Sequence, residues 1–270
     1  MARKPWQSRD RFKVRAQPRR GKRPAPRLRT RDASGVAVLY GWHTVKAALE
    51  NPARRFRRLL ATENALRRLN DDGVAIPLKP ELVRPDIIDA QLGPDAVHQG
   101  LLAETDPLDA PALEEIAQDG IVLVLDQITD PHNVGAILRS AAAFAVKAIV
   151  TTARHSPEAT GVLAKSASGA LELVPLVMVQ NLARGLEELR TRGFLLVGLD
   201  STGDADLGAN TLRAPLALVL GAEGKGLRQL TKQTCDSVAR IDVPGEIKSL
   251  NVSNAAALAL YVASRQLQGA

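Results

Sequence analysis

Three polar segments beyond residue 125 each follow a predicted strand, and the first of them runs from Asp126 to Arg139. It contains Asn133, Gly135 and Arg139. An asparagine near a helix start can cap unpaired backbone amides, and a glycine there lets a second backbone come close. A guanidinium binds phosphate oxygens or stabilises a developing negative charge, although a single helical arginine is more often a surface ion pair. The segment could therefore bind an anion at a helix start. Whether it forms part of a site depends on the segments that lie near it in the fold.

The second segment is a glycine-rich loop from Gly221 to Leu227 with the sequence G-A-E-G-K-G-L. A P-loop would need Lys and then Ser or Thr directly after Gly226, where this chain has Leu227 and Arg228. A dinucleotide fingerprint has the order G-x-G-x-x-G, and this loop has G-x-x-G-x-G. Both phosphate-binding patterns are therefore excluded. The loop is either a ligand site with bare backbone and one carboxylate, Glu223, or a plain tight turn between a strand and a helix.

The third segment runs from Ile241 to Asn254 and leads into the last predicted helix. Ser249, Asn251 and Ser253 crowd around the start of that helix. One of these side chains can be its N-cap. Because an N-cap needs one polar residue and this helix start has three, the segment is a candidate for a binding or catalytic site.

The elements that position these segments alternate regularly after residue 119. The predicted strands are Ile121–Leu125, Ala148–Val150, Val174–Val179, Phe194–Leu199, Leu216–Leu220 and Val238–Val243. The predicted helices are His132–Phe144, Gly161–Gly169, Leu182–Arg192, Leu227–Cys235 and Asn251–Gln268. Short apolar strands separated by helices predict an α/β fold with a mostly parallel sheet covered on both faces. Ligands of such sheets bind at the carboxyl ends of the strands, where the three polar segments lie.

Residues 35–105 have a shorter, mixed pattern that predicts a separate, small α/β module. Its predicted elements are the strands Val36–Tyr40, Phe56–Ala61, Gly73–Leu78 and Gly100–Ala103, a helix ending at Leu49 and the helix Glu63–Leu69. Residues 106–118 contain Pro107, Pro111 and several acids, the composition of a linker that ends in a short helix. We therefore predict two domains, residues 35–105 and residues 119–270.

Positive charge is concentrated in the first residues of the sequence. The chain has 36 Lys and Arg against 29 Asp and Glu, and 13 of the bases with one acid lie between Met1 and Arg31. That segment carries 13 − 1 = +12, and the rest carries 23 − 28 = −5. Four prolines and few apolar residues predict a disordered basic arm over residues 1–34. Such an arm binds polyanions through phosphate contacts and counterion release, and a solubility tail is the alternative.

Composition also excludes some classes of protein. No stretch approaches the roughly 18 consecutive apolar residues of a membrane span, and the first residues lack the apolar core of a secretory signal. We therefore expect a cytoplasmic protein that does not bind membranes. Cys235 is the only cysteine, which excludes an internal disulfide and a cysteine-cluster metal site. No metal is expected, and Cys235 is expected to be a small buried apolar residue.

Together, the three segments resemble the motifs of the SPOUT superfamily of RNA ribose 2′-O-methyltransferases. The resemblance covers the C-terminal 150 residues, with N-x-G-x-x-x-R at Asn133 to Arg139, G-A-E-G-x-G-L at Gly221 to Leu227, and S-L-N-V-S at Ser249 to Ser253. The first module resembles the family's ribosomal-protein-like RNA-binding domain through two short motifs, Tyr40–His43 and Val97–Gly100. Those motifs are typical of the branch that methylates guanosine in 23S rRNA.

The resemblance implies a deep trefoil knot, a homodimer, S-adenosylmethionine as cofactor and RNA, most of all 23S rRNA, as substrate. It implies cofactor binding by Gly221, Ile241 and Leu250. It implies catalytic surroundings formed by Arg139, Asn133, Glu223, Ser249 and Asn251.

The resemblance points to Arg139 as the residue that activates the ribose hydroxyl. A guanidinium stays protonated in proteins, so Arg139 is a poor general base. We therefore expect Arg139 to bind the neighbouring phosphate and to stabilise the developing alkoxide. The proton acceptor is left open, with Glu223 as one candidate. Two alternatives also stay open, which are ribose methylation of tRNA and a noncatalytic rRNA-binding assembly factor. The failed dinucleotide fingerprint argues against an oxidoreductase.

Overall fold

The computed structural model of the chain describes residues 35–93, 95–152, 161–247 and 249–269. The basic arm predicted for residues 1–34 lies outside the described residues. Within these ranges the strands form two separate sheets, one of four strands and one of seven. Among the described helices, none is long and apolar enough to span a membrane.

The first sheet has the strand order β1-β4-β2-β3. Its elements are β1 (Ala37–Tyr40), α1 (Trp42–Glu50), β2 (Phe56–Ala61), α2 (Glu63–Asp71), β3 (Glu81–Leu82), α3 (Pro85–Leu92) and β4 (Leu101–Thr105). β4 pairs antiparallel with β1 and β2, and β3 pairs parallel with β2. Successive strand residues point to opposite faces, so Leu59 and Leu101 pack with α1 and α2, whereas Leu60 and Leu102 pack with α3.

The predicted strand Gly73–Leu78 is wrong. This segment is irregular, and the amide of Val74 bonds back to the Leu69 carbonyl at the end of α2. Pro77 and Pro80 supply no backbone donors, which disfavours a ladder there. The helix α3 was not predicted, although Pro85 suits its first position and its inward residues Ile88 and Leu92 are four residues apart.

The second sheet confirms the predicted parallel α/β architecture. Its strand order is β7-β6-β5-β10-β8-β11-β9, and every pair is parallel. Its strands are β5 (Ile121–Asp126), β6 (Ala148–Thr152), β7 (Leu176–Val179), β8 (Leu195–Leu199), β9 (Ala205–Asp206), β10 (Leu216–Gly221) and β11 (Ser237–Arg240). All six residues of β5 are buried, because the sheet is covered on both faces.

Helices cover both faces of the second sheet. They are α4 (Pro131–Ala143), α5 (Gly161–Ala167), α6 (Leu182–Thr191), α7 (Gln229–Thr234) and α8 (Val252–Gln268), with short 3₁₀ helices at Leu113–Glu115, Ala170–Glu172 and Leu207–Ala209. Residues of α4, α5 and α8 share one core cluster and residues of α6 belong to the other. Cys235 packs beside the second cluster, where burial, helped by the nearby carboxylates, raises its thiol pKa to about 12.

The parallel register brings the ends of three central strands to one edge. Gly221 at the end of β10 lies opposite Asp126 at the end of β5, and Leu220 lies opposite Leu199 at the end of β8. The segments that follow β5, β10 and β8 therefore meet at one edge of the sheet, where ligands of parallel sheets bind.

Candidate active site

A cleft of about 400 Å³ opens at this edge of the second sheet. Five of the eight predicted site residues line it, namely Gly221, Glu223, Ile241, Ser249 and Leu250. The second and third polar segments thus share one cavity, although they are separated in the chain by α7 and β11. All three predicted cofactor residues are among these five.

The glycine loop folds back tightly on itself. The amide of Gly226 donates to the Ala222 carbonyl over 2.8 Å. A Cβ on Gly221 would lie 2.2 Å from the Gly226 carbonyl carbon and 2.4 Å from the Leu227 amide nitrogen. Gly224 and Gly226 have positive φ values of 73° and 64°, which favour glycine. The loop therefore presents bare backbone to the cleft, and Glu223 is exposed at its tip.

Two carboxylates anchor the loop from the strands on either side of β10. Asp126, at the end of β5, accepts from the Arg228 amide (3.1 Å) and from Arg228 Nε (2.6 Å). Asp200, directly after β8, accepts from the Leu227 amide at 3.0 Å. These bonds hold residues 227 and 228 out of the helix, so α7 begins at Gln229 and the predicted start at Leu227 is wrong.

Asp200 is a cleft residue that sequence reasoning missed. Its carboxylate also accepts from the Thr202 hydroxyl at 2.7 Å and pairs with the Lys232 ammonium at 2.9 Å. Burial alone raises the pKa of Asp200, but the hydrogen bonds from Thr202, Lys232 and the Leu227 amide outweigh it and lower the pKa to about 2. The available signal was its place immediately after a predicted strand.

The first and third polar segments meet through a hydrogen bond from Asn251 Nδ2 to Asn133 Oδ1, which is 3.0 Å long. Asn251 is the N-cap of α8, since its Oδ1 accepts from the Ser253 amide at 2.9 Å. The expectation that Asn133 caps α4 is wrong. Asp130 is that cap, because its side chain accepts from the His132 amide, and this leaves the Asn133 side chain free to meet Asn251.

Gly135 makes the close approach that its type predicts. A Cβ at this position would lie 2.4 Å from Ser166 Cβ and 2.9 Å from the Ala167 amide of α5. The two helices therefore touch near the start of α4. The position of Asn133 is fixed from both sides, by α5 and by α8.

Arg139 is not brought into the cleft of its own chain. It is exposed on α4 and lines two other depressions, one shared with residues of the first module and one shared with Ser253 and Asn254 of α8. Among the described residues its guanidinium has no hydrogen-bond or ion-pair partner. This arginine is thus available to an external anion. Within the same described ranges, no cluster of histidine, cysteine or carboxylate side chains could hold a metal ion.

Two family descriptions match the two parts of the chain. Residues 120–261 match the SpoU rRNA Methylase family, and residues 38–111 match the family described as RNA 2′-O ribose methyltransferase substrate binding. The first match contains β2, β3, β4 and all but the first residue of β1, and the second match contains every strand of the second sheet.

Individual proteins give the same assignment. The 23S rRNA (guanosine-2′-O-)-methyltransferase RlmB of Yersinia pestis is 38% identical over 244 residues, which are 85% of this chain and 97% of that protein. The SpoU methyltransferase AviRb from Streptomyces viridochromogenes, in complex with the cofactor AdoMet, is 25% identical with a TM-score of 0.73, covering 86% of this chain and 91% of that one. The A. aeolicus TrmH/SpoU tRNA modifying enzyme is 27% identical with a TM-score of 0.50, covering 57% of this chain and 78% of that one.

The methylase match spans more than half of the chain, and it includes Asn133, Arg139, the glycine loop and the start of α8. These are the residues on which the resemblance to the SPOUT ribose methyltransferases was based, and the resemblance is confirmed. This chain belongs to the SpoU rRNA methylase family.

Proposed function

We propose that this protein transfers a methyl group from S-adenosylmethionine to the ribose 2′-hydroxyl of a guanosine in 23S rRNA. The observation that carries the proposal is the meeting of the glycine loop and the Ile241–Asn254 segment in one cleft, with Asn251 bonded to Asn133. The relative from Yersinia pestis, named for this reaction on 23S rRNA, aligns with 85% of the chain. Shared fold, shared motifs and nearly full-length similarity support the same activity.

The cleft fits S-adenosylmethionine in size and in chemistry. Its volume of about 400 Å³ lies within the range of about 300–1,000 Å³ usual for small-molecule sites. Leu199, Leu220 and Ile241 supply apolar wall, whereas the loop at Gly221 supplies backbone without side chains. In this proposal Gly221, Ile241 and Leu250 hold the cofactor through backbone groups and apolar contact. The bound cofactor supplies an electrophilic methyl group.

The chain's own residues orient the ribose and stabilise charge. Arg139, which has no partner among the described side chains, binds the phosphate next to the target ribose and stabilises the alkoxide that develops on the 2′-oxygen. Asn133 and Asn251 fix the starts of α4 and α8 around the reacting hydroxyl, and Ser249 offers a further hydroxyl in the cleft. Glu223 is the candidate acceptor for the ribose proton, because it is an exposed carboxylate at the loop tip.

The two sheets belong to domains with different proposed functions. We assign residues 35–105 to RNA binding, residues 106–118 to the linker and residues 119–270 to methyl transfer. The family matches at 38–111 and 120–261 support these boundaries. In the same proposal the basic arm of residues 1–34 adds phosphate contacts without sequence preference.

A homodimer completes the site in this proposal. Arg139 lies outside the cleft of its own chain, and α8 carries two exposed apolar side chains, Leu258 (45%) and Tyr261 (57%). The depression beside Arg139 is lined by α4 and α8, so a second copy on these helices would bring its cleft toward Arg139. The proposal also retains the deep trefoil knot, which the resemblance to the family implies, and the cytoplasmic location expected from the composition.

A direct transfer assay tests the function. The purified chain is incubated with S-adenosylmethionine carrying a labelled methyl group and with RNA extracted from cells that lack the gene. We expect label on one guanosine of 23S rRNA, at the 2′-oxygen. Label on tRNA would replace the substrate and keep the chemistry, an outcome that the similarity to the A. aeolicus tRNA enzyme makes worth measuring. Absence of label with folded protein would favour a noncatalytic rRNA-binding factor.

A further inference from the structure

A buried ion pair joins the first module to the methyltransferase module. Arg54 Nη2 donates to Glu172 Oε1 over 2.5 Å, and Arg54 Nε donates to Oε2 over 3.1 Å. Asn51 Nδ2 also donates to Oε2, over 2.7 Å. The side chains of Arg54 and Glu172 are only 5% and 3% exposed. Both charges are therefore paired, hydrogen-bonded and removed from water.

The pair links elements that are distant in the sequence. Asn51 and Arg54 lie between α1 and β2, whereas Glu172 ends the 3₁₀ helix that follows α5. A third contact between the modules lies on α5 itself, where Lys165 Nζ donates to Gln99 Oε1 at 3.2 Å. The first module is thus fixed against α5 and the turn that follows it.

From α5 the contact continues to the catalytic segment. Ser166 Oγ donates to the His132 carbonyl over 3.2 Å, and Gly135 lies too close to Ser166 for any side chain. His132 and Gly135 flank Asn133 in the chain. A displacement of the first module would therefore reach the start of α4 through packed atoms and not through a flexible segment.

A groove of about 590 Å³ opens beside the ion pair, and both modules line it. His43 and Asn51 come from the first module, and Arg139 and Glu172 from the second. Nucleic acid held on the first module would pass along this groove to reach Arg139. The relative orientation of the modules sets its width.

A buried bidentate ion pair is a geometric device more than a source of stability. Apolar side chains of similar volume often replace such a pair at no cost in stability, whereas removal of one partner leaves an uncompensated buried charge. The planar fork of an arginine on a carboxylate fixes direction as well as distance. A saturated pair at this module boundary is therefore suited to fixing orientation.

We propose that Arg54 and Glu172 are positioning residues for RNA methylation, which hold the first module so that an RNA bound to it presents its ribose 2′-hydroxyl at Arg139. This inference rests on the proposed function. It predicts a loss of turnover without a matching loss of cofactor affinity, because neither residue lines the cofactor cleft. RNA affinity should fall less than turnover, because the side chains of Arg54 and Glu172 are only 5% and 3% exposed and offer RNA little surface.

The test compares the full-length wild type with the double variant Arg54→Met/Glu172→Leu and the single variant Glu172→Gln. Turnover is measured at saturating RNA from cells lacking the gene, affinity for S-adenosylmethionine by calorimetry, RNA affinity by filter binding, and thermal unfolding by circular dichroism. The control is Lys147→Met/Asp119→Leu, which removes a more exposed ion pair that lies within the second module, before the first residues of β5 and β6. Small-angle X-ray scattering reports the arrangement of the modules.

We expect the double variant to keep a wild-type Tm and cofactor affinity, and to lose turnover by roughly tenfold or more, since misplacement by about 1 Å can cost that much. The distribution of interatomic distances from scattering should broaden in the double variant. The single variant should have a lower Tm as well as a lower turnover. Wild-type turnover in the double variant, or an equal loss of RNA affinity, would overturn the positioning role. A wild-type protein that transfers no methyl group overturns the proposed function instead, and the scattering then decides whether the pair orients the modules.

Discussion

The side-chain amide of Asn251 donates to the side-chain oxygen of Asn133 over 3.0 Å, although the two residues are 118 positions apart. One residue caps α8 and the other lies in the first turn of α4. The bond therefore ties together the helix starts on which the first and third polar motifs lie. Asn251 has two separable tasks, since its oxygen caps a helix while its nitrogen donates to Asn133.

These two tasks respond differently to substitution. Asn251→Ala should lower the free energy of unfolding by about 1 kcal/mol, the usual value of an N-cap, whereas Asn251→Asp should change it by less than roughly 0.5 kcal/mol because aspartate caps as well. Both variants should lose methyl transfer, because neither can donate to Asn133. Urea unfolding measures the change in stability, and the transfer assay measures the loss of methyl transfer. An aspartate variant as unstable as the alanine variant would contradict the capping role.

Gly221→Ala should weaken binding of S-adenosylmethionine by about tenfold or more, equivalent to about 1.4 kcal/mol. The added methyl group would stand 2.2 Å from the Gly226 carbonyl carbon, so the loop must open. Calorimetric titration measures the effect. Gly185→Ala in α6 is the matched control, because its methyl group would meet Val179 at an ordinary 3.4 Å. Equal affinity in both variants would show that the closed loop is not the cofactor site.

Arg139→Ala should abolish methyl transfer, a loss of about a hundredfold or more, while cofactor affinity stays near the wild-type value. The reason is the position of Arg139 outside the cleft. Arg139→Lys should rescue little, since an ammonium lacks the bidentate fork. Arg190→Ala, at an exposed site on α6, serves as control. Cofactor affinity that falls as far as turnover would contradict this role.

The carboxylate of Asp200 should make the free energy of unfolding depend on pH below about pH 4. Hydrogen bonds hold its pKa at about 2 in the folded protein, below the ordinary 3.8. A lowered pKa stabilises the fold above the unfolded-state value, and this stabilisation, about 2 kcal/mol, is lost as pH falls from about 4 to about 2. The unfolding free energy of Asp200→Asn should therefore differ from wild type more at pH 7 than at pH 3. The control Asp109→Asn, at an exposed linker site, should differ from wild type in unfolding free energy by the same amount at both pH values. The same result for Asp200→Asn would contradict the lowered pKa of Asp200.

Deletion of Met1 to Arg31 should weaken RNA binding and flatten its dependence on salt. The deleted segment contains 13 Lys and Arg, and each phosphate contact contributes roughly 0.7–0.9 to the slope of log affinity against log salt concentration. Filter binding at several salt concentrations gives this slope, and circular dichroism should show unchanged unfolding of the remainder. An unchanged slope would mean that the arm does not contact RNA.

Local pattern was sufficient for much of the fold and the site. Alternating apolar runs predicted every strand from β5 to β11 except the two-residue β9, and strand ends predicted where the glycine loop and Ser249 would meet. Ile241 and Leu250 came from the resemblance and line the same cleft. The strands and the glycine loop depend on residues close together in the chain, where hydrophobic periodicity and turn chemistry are informative.

Other features depend on the order of strands in space, which no local pattern contains. Asp126 and Asp200 grip the glycine loop only because β10 lies between β5 and β8. The pair of Arg54 and Glu172 bridges 118 positions of sequence and two modules. Asp126 and Asp200 each follow a predicted strand, but the contacts that they make with the loop could not be predicted from that position. Arg54 and Glu172 each resemble an ordinary surface charge in the sequence, which offered no reason to select them.

Mapping of ribose methylation in total RNA, from cells with and without the gene, tests the central claim most directly. The map covers 23S rRNA and tRNA together. We predict the loss of one guanosine 2′-O-methyl group from 23S rRNA and its return when the wild-type gene is restored, but not when the gene carries Arg139→Ala. A full set of 2′-O-methyl groups in cells without the gene would contradict the claim that this protein is a ribose methyltransferase.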